Sequence, residues 1–278
     1  MAQNFASAHL KVIDELFFTE SKTDVISNKG PIRLDFNGKN SVTIYRVDTV
    51  AETDYTRSGE NRFGPLVELG NATQTFTLSQ DKAFTFTVDQ GNLKDSMMVT
   101  EAAKAVKRQI REVAVPAVDT YRLAELSAYA TANSQEATNA LSASDVYADI
   151  LTQQAALTDA EVPEDGRVLF VTATTHNLLK RDPEFRLACD TSYRDNKKGI
   201  VGMIDGMKIV VCPSSYYVAN FGFMIVHEDV LVSPTKIDMV RILTDVQGIH
   251  GAVAEGRRYY DAFIPTNKGV AIRQHLTA

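Results

Sequence analysis

Residues 48–72 read DTVAETDYTRSGENRFGPLVELGNA and lie between two segments that alternate like β-strands. Loops longer than roughly 12–15 residues with no structure of their own are uncommon, and those that persist are functional or disordered. Strand patterns on both flanks, with the turn formers Gly59, Gly64 and Pro65 near the middle, point to an ordered arm that projects. A projecting arm needs a surface to lie on. In a chain with no visible active site, a second copy of the same chain is the natural candidate.

The flanks say how such an arm is built. Residues 41–47, SVTIYRV, alternate and are rich in β-branched side chains. Residues 73–79, TQTFTLS, place Phe76 and Leu78 on one face, and residues 83–88 repeat the pattern with Phe84, Phe86 and Val88. Ser79, Gln80, Asp81 and Lys82 suit a hairpin connection between these last two. If 41–47 pairs with 73–79, residues 48–72 become the tip of a β-ribbon. Half the span from 42 to 88 is about 20 residues, which at roughly 3.3 Å each reaches on the order of 60 Å. A lone two-stranded ribbon is marginal in water, so packing on a partner is expected.

A long helix comes next. Val99, Ala103, Val106, Ile110, Val113, Ala117, Tyr121, Ala124 and Ala128 recur at three- and four-residue steps. Its later members are mostly alanine, which lets another element approach closely. Asp95 or Ser96 suits its start. Continuous from 96 to 131 it would run about 54 Å. Pro116 removes one helical hydrogen bond, so a kink or break is expected there. The small polar stretch 131–142 reads as a lobe boundary, and Ser142 with Asp145 resembles a capping box for a helix reaching about Leu157.

Beyond it lie a strand, RVLFV, and a short helix near Thr175–Arg181 stopped by Pro183. Strand patterns at 206–212, 221–227 and 237–246 are expected to share a sheet. The end of the chain reads as a hairpin turning at Thr266, Asn267, Lys268 and Gly269.

Composition narrows the function. The 35 acidic and 29 basic side chains give a formal charge of −6, without the basic excess a dedicated nucleic-acid binder uses to neutralise phosphates. No apolar run approaches the roughly 20 residues that span a bilayer, and the N-terminus lacks the layout of a secretory signal. Leu10, Ile13, Leu16 and Phe17 have helical spacing instead. They fit either a short helix docked on its own domain or an arm reaching a neighbour, with Leu16, Phe17 and Phe18 as its contacts. Cys189 and Cys212 are the only cysteines and fit reduced thiols.

Chemistry is hard to find. None of the five histidines pairs with another at metal-ligand spacing, and no phosphate-binding glycine loop or nucleophile elbow is present. No catalytic residue, metal or cofactor is expected. His176, between a strand and a short helix, sits where enzymes place a base, yet equally where a histidine starts or packs a helix. Asp159, Glu161, Glu164 and Asp165 form an acidic loop without the ligand spacing of a calcium site. Arg57 and Arg62 flank Glu60 at the arm's turn. They fit a soluble loop tip or, with Phe63, contacts to a neighbouring subunit. Arg257 and Arg258 before Tyr259 and Tyr260 fit a structural strand as well as nucleic-acid contact.

The order of elements, and several short texts within it, resemble the major capsid proteins of tailed bacteriophages, of the Hong Kong 97 fold. Val168–Val171 followed by Thr174–Lys180 and Asp182–Phe185 looks like that family's strand and short helix. Gly199–Gly202 with Ile204–Val211 is similar to its glycine-marked turn and strand, and Arg258–Phe263 to its returning strand. The resemblance implies an α+β, Hong Kong 97-like capsid fold with five parts. These are an N-terminal arm at 1–33, an extended β-ribbon loop at 34–92, a spine helix within 93–135, a mixed α/β axial domain at 136–232, and peripheral strands returning at 233–278.

It also implies a non-enzymatic shell protein forming pentamers and hexamers of an icosahedral or prolate head around double-stranded DNA. That protein would assemble in the host bacterial cytoplasm and reside in the virion. Its partners would be further copies of itself, a portal protein, decoration proteins and a scaffolding protein. Scaffolding is expected to be a separate protein, because the ribbon begins within about 35 residues of Met1. Some relatives crosslink a loop lysine to a neighbour's asparagine; Thr56–Gly64 holds no lysine, so noncovalent contacts through Arg57, Glu60, Arg62 and Phe63 are expected. An encapsulin-type compartment shares the fold and is the alternative. A hydrolytic enzyme using His176 is the rival of another class.

Overall fold

The computed structural model describes residues 21–28, 34–37, 40–89, 105–182, 200–244, 246–248 and 251–277. The chain divides into two compact units, one of residues 1–30 and 80–278, the other of residues 31–79.

The larger unit is built on a six-stranded mixed sheet. Its strands are β5 (Glu136–Thr138), β6 (Arg167–Thr172), β7 (Ile200–Ile204), β8 (Met207–Cys212), β9 (Phe221–His227) and β12 (Ile272–Leu276), in the order β5-β12-β9-β6-β8-β7. The central strands are continuous apolar runs because both faces are covered, and every residue of β6 is buried. Helix α2 (Val146–Asp159) contributes Ile150 and Leu157 to this core. Helix α3 (Ala173–Arg181) follows β6 directly, since Thr172 caps it by accepting from the Thr175 N–H at 3.1 Å. Asp205 and Gly206, both at positive φ, turn β7 into β8.

A second sheet in this unit is antiparallel, in the order β10 (Thr235–Leu243), β11 (Gly251–Tyr260), β4 (Gln80–Asp89). Cross-strand ion pairs lace it. Arg257 grips Asp81 at 2.7 Å, Arg241 meets Glu255 at 2.7 Å, and Arg258 meets Asp238 at 3.4 Å. The arginines that suited nucleic acid are thus occupied within the sheet.

The long helix runs through residues 105–109, a π turn at Ile110–Ala114, and helix α1 at Val115–Ala132. Pro116 does not break it. Proline has no N–H for the ladder, and its ring crowds the carbonyl four residues earlier; the preceding turn widens into a π turn to make room. That extra residue rotates the apolar face. Val106 and Ile110 are followed by Val115 and Val118 against the second sheet, then by Leu123, Leu126 and Ala130 in the main core. Val113, expected on the buried face by its 3.6-residue spacing, is exposed. One helix thereby serves two cores.

Several other expectations are corrected. Residues 79–82 do not form a hairpin, because β3 pairs with β2 whereas β4 pairs with β11. The last two strands are not a hairpin either. A turn follows Pro265, but β11 lies in the second sheet and β12 in the first. For the same reason β10 does not share a sheet with β8 and β9. The stretch read as a lobe boundary contributes β5, parallel to β12. Ser142 and Asp145 bond to each other at 2.5 Å, and no side chain caps α2.

The smaller unit is a three-stranded antiparallel sheet of β1 (Leu34–Asn37), β2 (Ser41–Val47) and β3 (Asn71–Thr77). The register runs from Ser41 opposite Thr77 to Val47 opposite Asn71, so residues 48–70 are the excursion between paired strands.

Candidate functional site

Hydrogen bonds tie the arm together at its root and at its tip. The ladder extends one step past β2, where the Asp48 N–H donates to Gly70 O at 3.1 Å. At the tip, the Thr56 N–H donates to Arg62 O at 3.0 Å and the Gly64 N–H to Asn61 O at 2.9 Å. Thr53 Oγ1 donates to Phe63 O at 2.9 Å, and the Tyr55 and Phe63 rings meet edge to face with centroids 5.0 Å apart. Gly59 and Gly64 lie at φ +95° and +83°, conformations that glycine adopts at no steric cost.

What this frame presents is apolar. Leu66 is 100% exposed and Phe63 84%, and Val47, Val50, Tyr55, Val67 and Leu69 are exposed as well. An isolated exposed leucine is ordinary; an apolar set of this size along one excursion is not. Arg57 and Glu60 are exposed at the tip. Arg62 is partly used in shaping the loop, donating through Nε to Gly59 O at 3.2 Å. Arg57, Glu60, Arg62 and Phe63 thus all lie on the exposed tip. GPLVELG follows no strand or helix period, so nothing in its spacing singles out Leu66, Val67 and Leu69. Leu16, Phe17 and Phe18 lie outside the described residues.

The larger unit carries a groove of about 640 Å³ between α1 with its π turn and the sheet β10-β11-β4. Phe84, Val113, Ala117, Met239 and Val240 line it, with Lys82 and Arg257 also on its walls. The alanines let the groove run close to the helix backbone. Phe84 lies over Gly256, where a Cβ would come within 2.3 Å of the ring.

Elsewhere the chemistry is quiet. His176 is buried, and burial together with Lys180 holds its pKa below the usual histidine value. Among the described residues no cluster of His, Cys, Asp or Glu could hold a metal ion. Burial pushes the Cys212 thiol up to about 11, which keeps it from acting as a thiolate; Cys189, His9 and His250 lie outside the described residues. Among the described residues no helix is long and apolar enough to cross a membrane.

No family model and no curated protein matches the sequence. Solved structures do. The chain superposes on a protein of Mycobacterium phage Che8 with a TM-score of 0.54 at 19% identity, covering 86% of this chain and 85% of that one. On the mature capsid of bacteriophage PhiM1 the TM-score is 0.60 at 13% identity, over 86% and 82% of the two chains. On the head of Helicobacter pylori bacteriophage KHP40 it is 0.63 at 11% identity, over 93% and 90%. The chain has the Hong Kong 97-like capsid fold. The match runs over more than four fifths of both chains in each case.

His275 in β12 is fully buried. Its Nε2 faces Asn139 Oδ1, the Asp149 carboxylate lies 4.0 Å away, and the ring stacks on Phe223. Burial lowers its pKa, and Asp149 only partly opposes this. A histidine with a depressed native pKa binds fewer protons folded than unfolded. Its stabilising share is therefore complete above the unfolded value of about 6.5 and is lost as pH falls below it. Unfolding midpoints are expected to drop between pH 7.5 and 5, and His275→Gln should flatten part of that slope. An equal slope in the variant would exclude His275 as the cause.

Proposed function

We propose that this chain is a phage major capsid protein that assembles into the pentamers and hexamers of an icosahedral or prolate head enclosing double-stranded DNA. The observation that carries this reading is the ordered arm with its exposed apolar run, in a chain of capsid fold. The arm of one subunit lies on the next, its apolar residues seated toward the groove beside α1. Head-to-tail contacts of this kind close into rings. Each contact is modest, and many copies act together. The charge of −6 suits a wall that encloses DNA without gripping it. The role is structural, with the virion as location, assembly in the bacterial cytoplasm, and scaffolding, portal and decoration proteins as further partners. An encapsulin-type compartment is the alternative; a purified shell that retains protein cargo in place of a genome would favour it.

Deleting residues 53–66 tests the reading. The subunit is expected to remain folded and soluble, while closed shells vanish from negative-stain micrographs. Normal shells from the deletion would remove the arm from assembly. A second expectation concerns covalency. Thr56–Gly64 contains no lysine, so mature particles boiled in SDS with reductant should run as monomers; a ladder of covalent oligomers would contradict this.

A further inference from the structure

Residues 21–28 carry no strong periodic pattern, yet Thr23 and Ile26 are fully buried. A 3-10 turn at Thr23–Val25 sets Val25 and Ile26 into the main core. The rest of the attachment is polar. The Asp119 carboxylate, on α1 and only 1% exposed, accepts from Ser21 Oγ at 2.5 Å, Thr23 Oγ1 at 2.6 Å, the Lys22 N–H at 2.9 Å and the Thr23 N–H at 3.4 Å. Arg122, one turn further along α1, donates to Thr23 Oγ1 and to Ser233 Oγ, each at 3.0 Å. Asn28 and Ser233 exchange two bonds of 2.8 Å. The donors on Asp119 thus all come from one short segment.

We propose that residues 21–28 form a latch that opens and closes on α1 as a unit while the six-stranded sheet stays folded, with Asp119 and Arg122 as its catch. Burying a carboxylate and a guanidinium is costly unless they are hydrogen-bonded, and the latch supplies four bonds to Asp119 and one to Arg122. When the latch lifts, both side chains return to water, which offsets much of the lost bonding. An apolar strand such as β6 gains nothing comparable when exposed. Opening also takes Val25 and Ile26 out of the core, a cost well below that of unfolding the sheet, so the latch opens before the sheet does. The latch is a property of the single subunit and goes beyond the assembly reading.

Hydrogen exchange on the full chain tests it, because the Lys22 and Thr23 amides bond the catch directly and the Ile26 amide bonds Thr23 O at 3.1 Å. These amides are expected to exchange at least about tenfold faster than those of β6 and β9, with weaker dependence on denaturant. Asp119→Asn should speed them by about a further tenfold and leave β6 and β9 unchanged. Should that variant fail to fold, Ser21→Ala with Thr23→Val removes donors from the latch alone and is read in the same way. Latch amides that exchange in step with β6 and β9, or that neither set of substitutions accelerates, overturn the proposal.

Discussion

Replacing Phe63 and Leu66 together by aspartate is expected to leave the subunit folded and abolish shell formation, whereas Arg57→Ala with Arg62→Ala should weaken assembly only slightly. Fully burying a phenylalanine or leucine is worth about 1.5–3 kcal/mol each. Losing both costs about 3–6 kcal/mol per arm, or roughly two to four decades in a single contact constant, before the repulsion of two carboxylates is counted. Exposed charge pairs contribute about 0–1 kcal/mol each and are screened by salt. Arg62 also spends one donor inside its own loop. The apolar run should therefore dominate the arginines, although the charged trio is the more conspicuous feature of the text. Sedimentation and microscopy read assembly, and the unfolding midpoint reads the fold. Shells of the double aspartate variant forming at the wild-type concentration would refute the apolar assignment.

Arg167→Met is expected to cost about 3–5 kcal/mol of stability, more than its loss of charge suggests. Arg167 is 1% exposed. Its guanidinium donates to Val162 O at 2.6 Å, Pro163 O at 2.9 Å, Thr158 Oγ1 at 3.1 Å and Gln154 O at 3.4 Å. Two of these acceptors belong to the last turns of α2, where a cation also complements the helix dipole. The other two lie in the acidic loop that follows. Burial lowers the guanidinium pKa, yet arginine stays charged at neutral pH. Methionine fills similar volume and leaves buried carbonyls without donors. Lysine should recover only part of the loss, because an ammonium cannot fork across a helix end and a loop. Chemical unfolding of the three proteins measures this; equal midpoints for methionine and wild type would show the clasp to be dispensable.

Much of the site was legible. The arm's position follows from strand patterns on both sides of a non-periodic stretch, and its turn from Gly59 and Gly64. The buried face of α1 was not legible beyond Ile110, because a 3.6-residue period assumes that no residue is inserted; the π turn before Pro116 moved the face from Val113 to Val115. The catch was invisible for another reason. Ser21 and Thr23 are unremarkable polar residues until the fold brings Asp119 to them from almost a hundred positions away.

Sequence alone determined most of the strands, helices and turns, with β1 and β5 as exceptions. Alternation, apolar spacing and turn residues act between near neighbours, and those interactions survive in any arrangement. Tertiary structure decided the partners: β4 with β11 and not β3, β12 with β9 and not β11, and Asp119 with the N-terminal segment. Many pairings satisfy an alternating strand equally well. The choice among them rests on burial summed over distant elements, which no local pattern encodes.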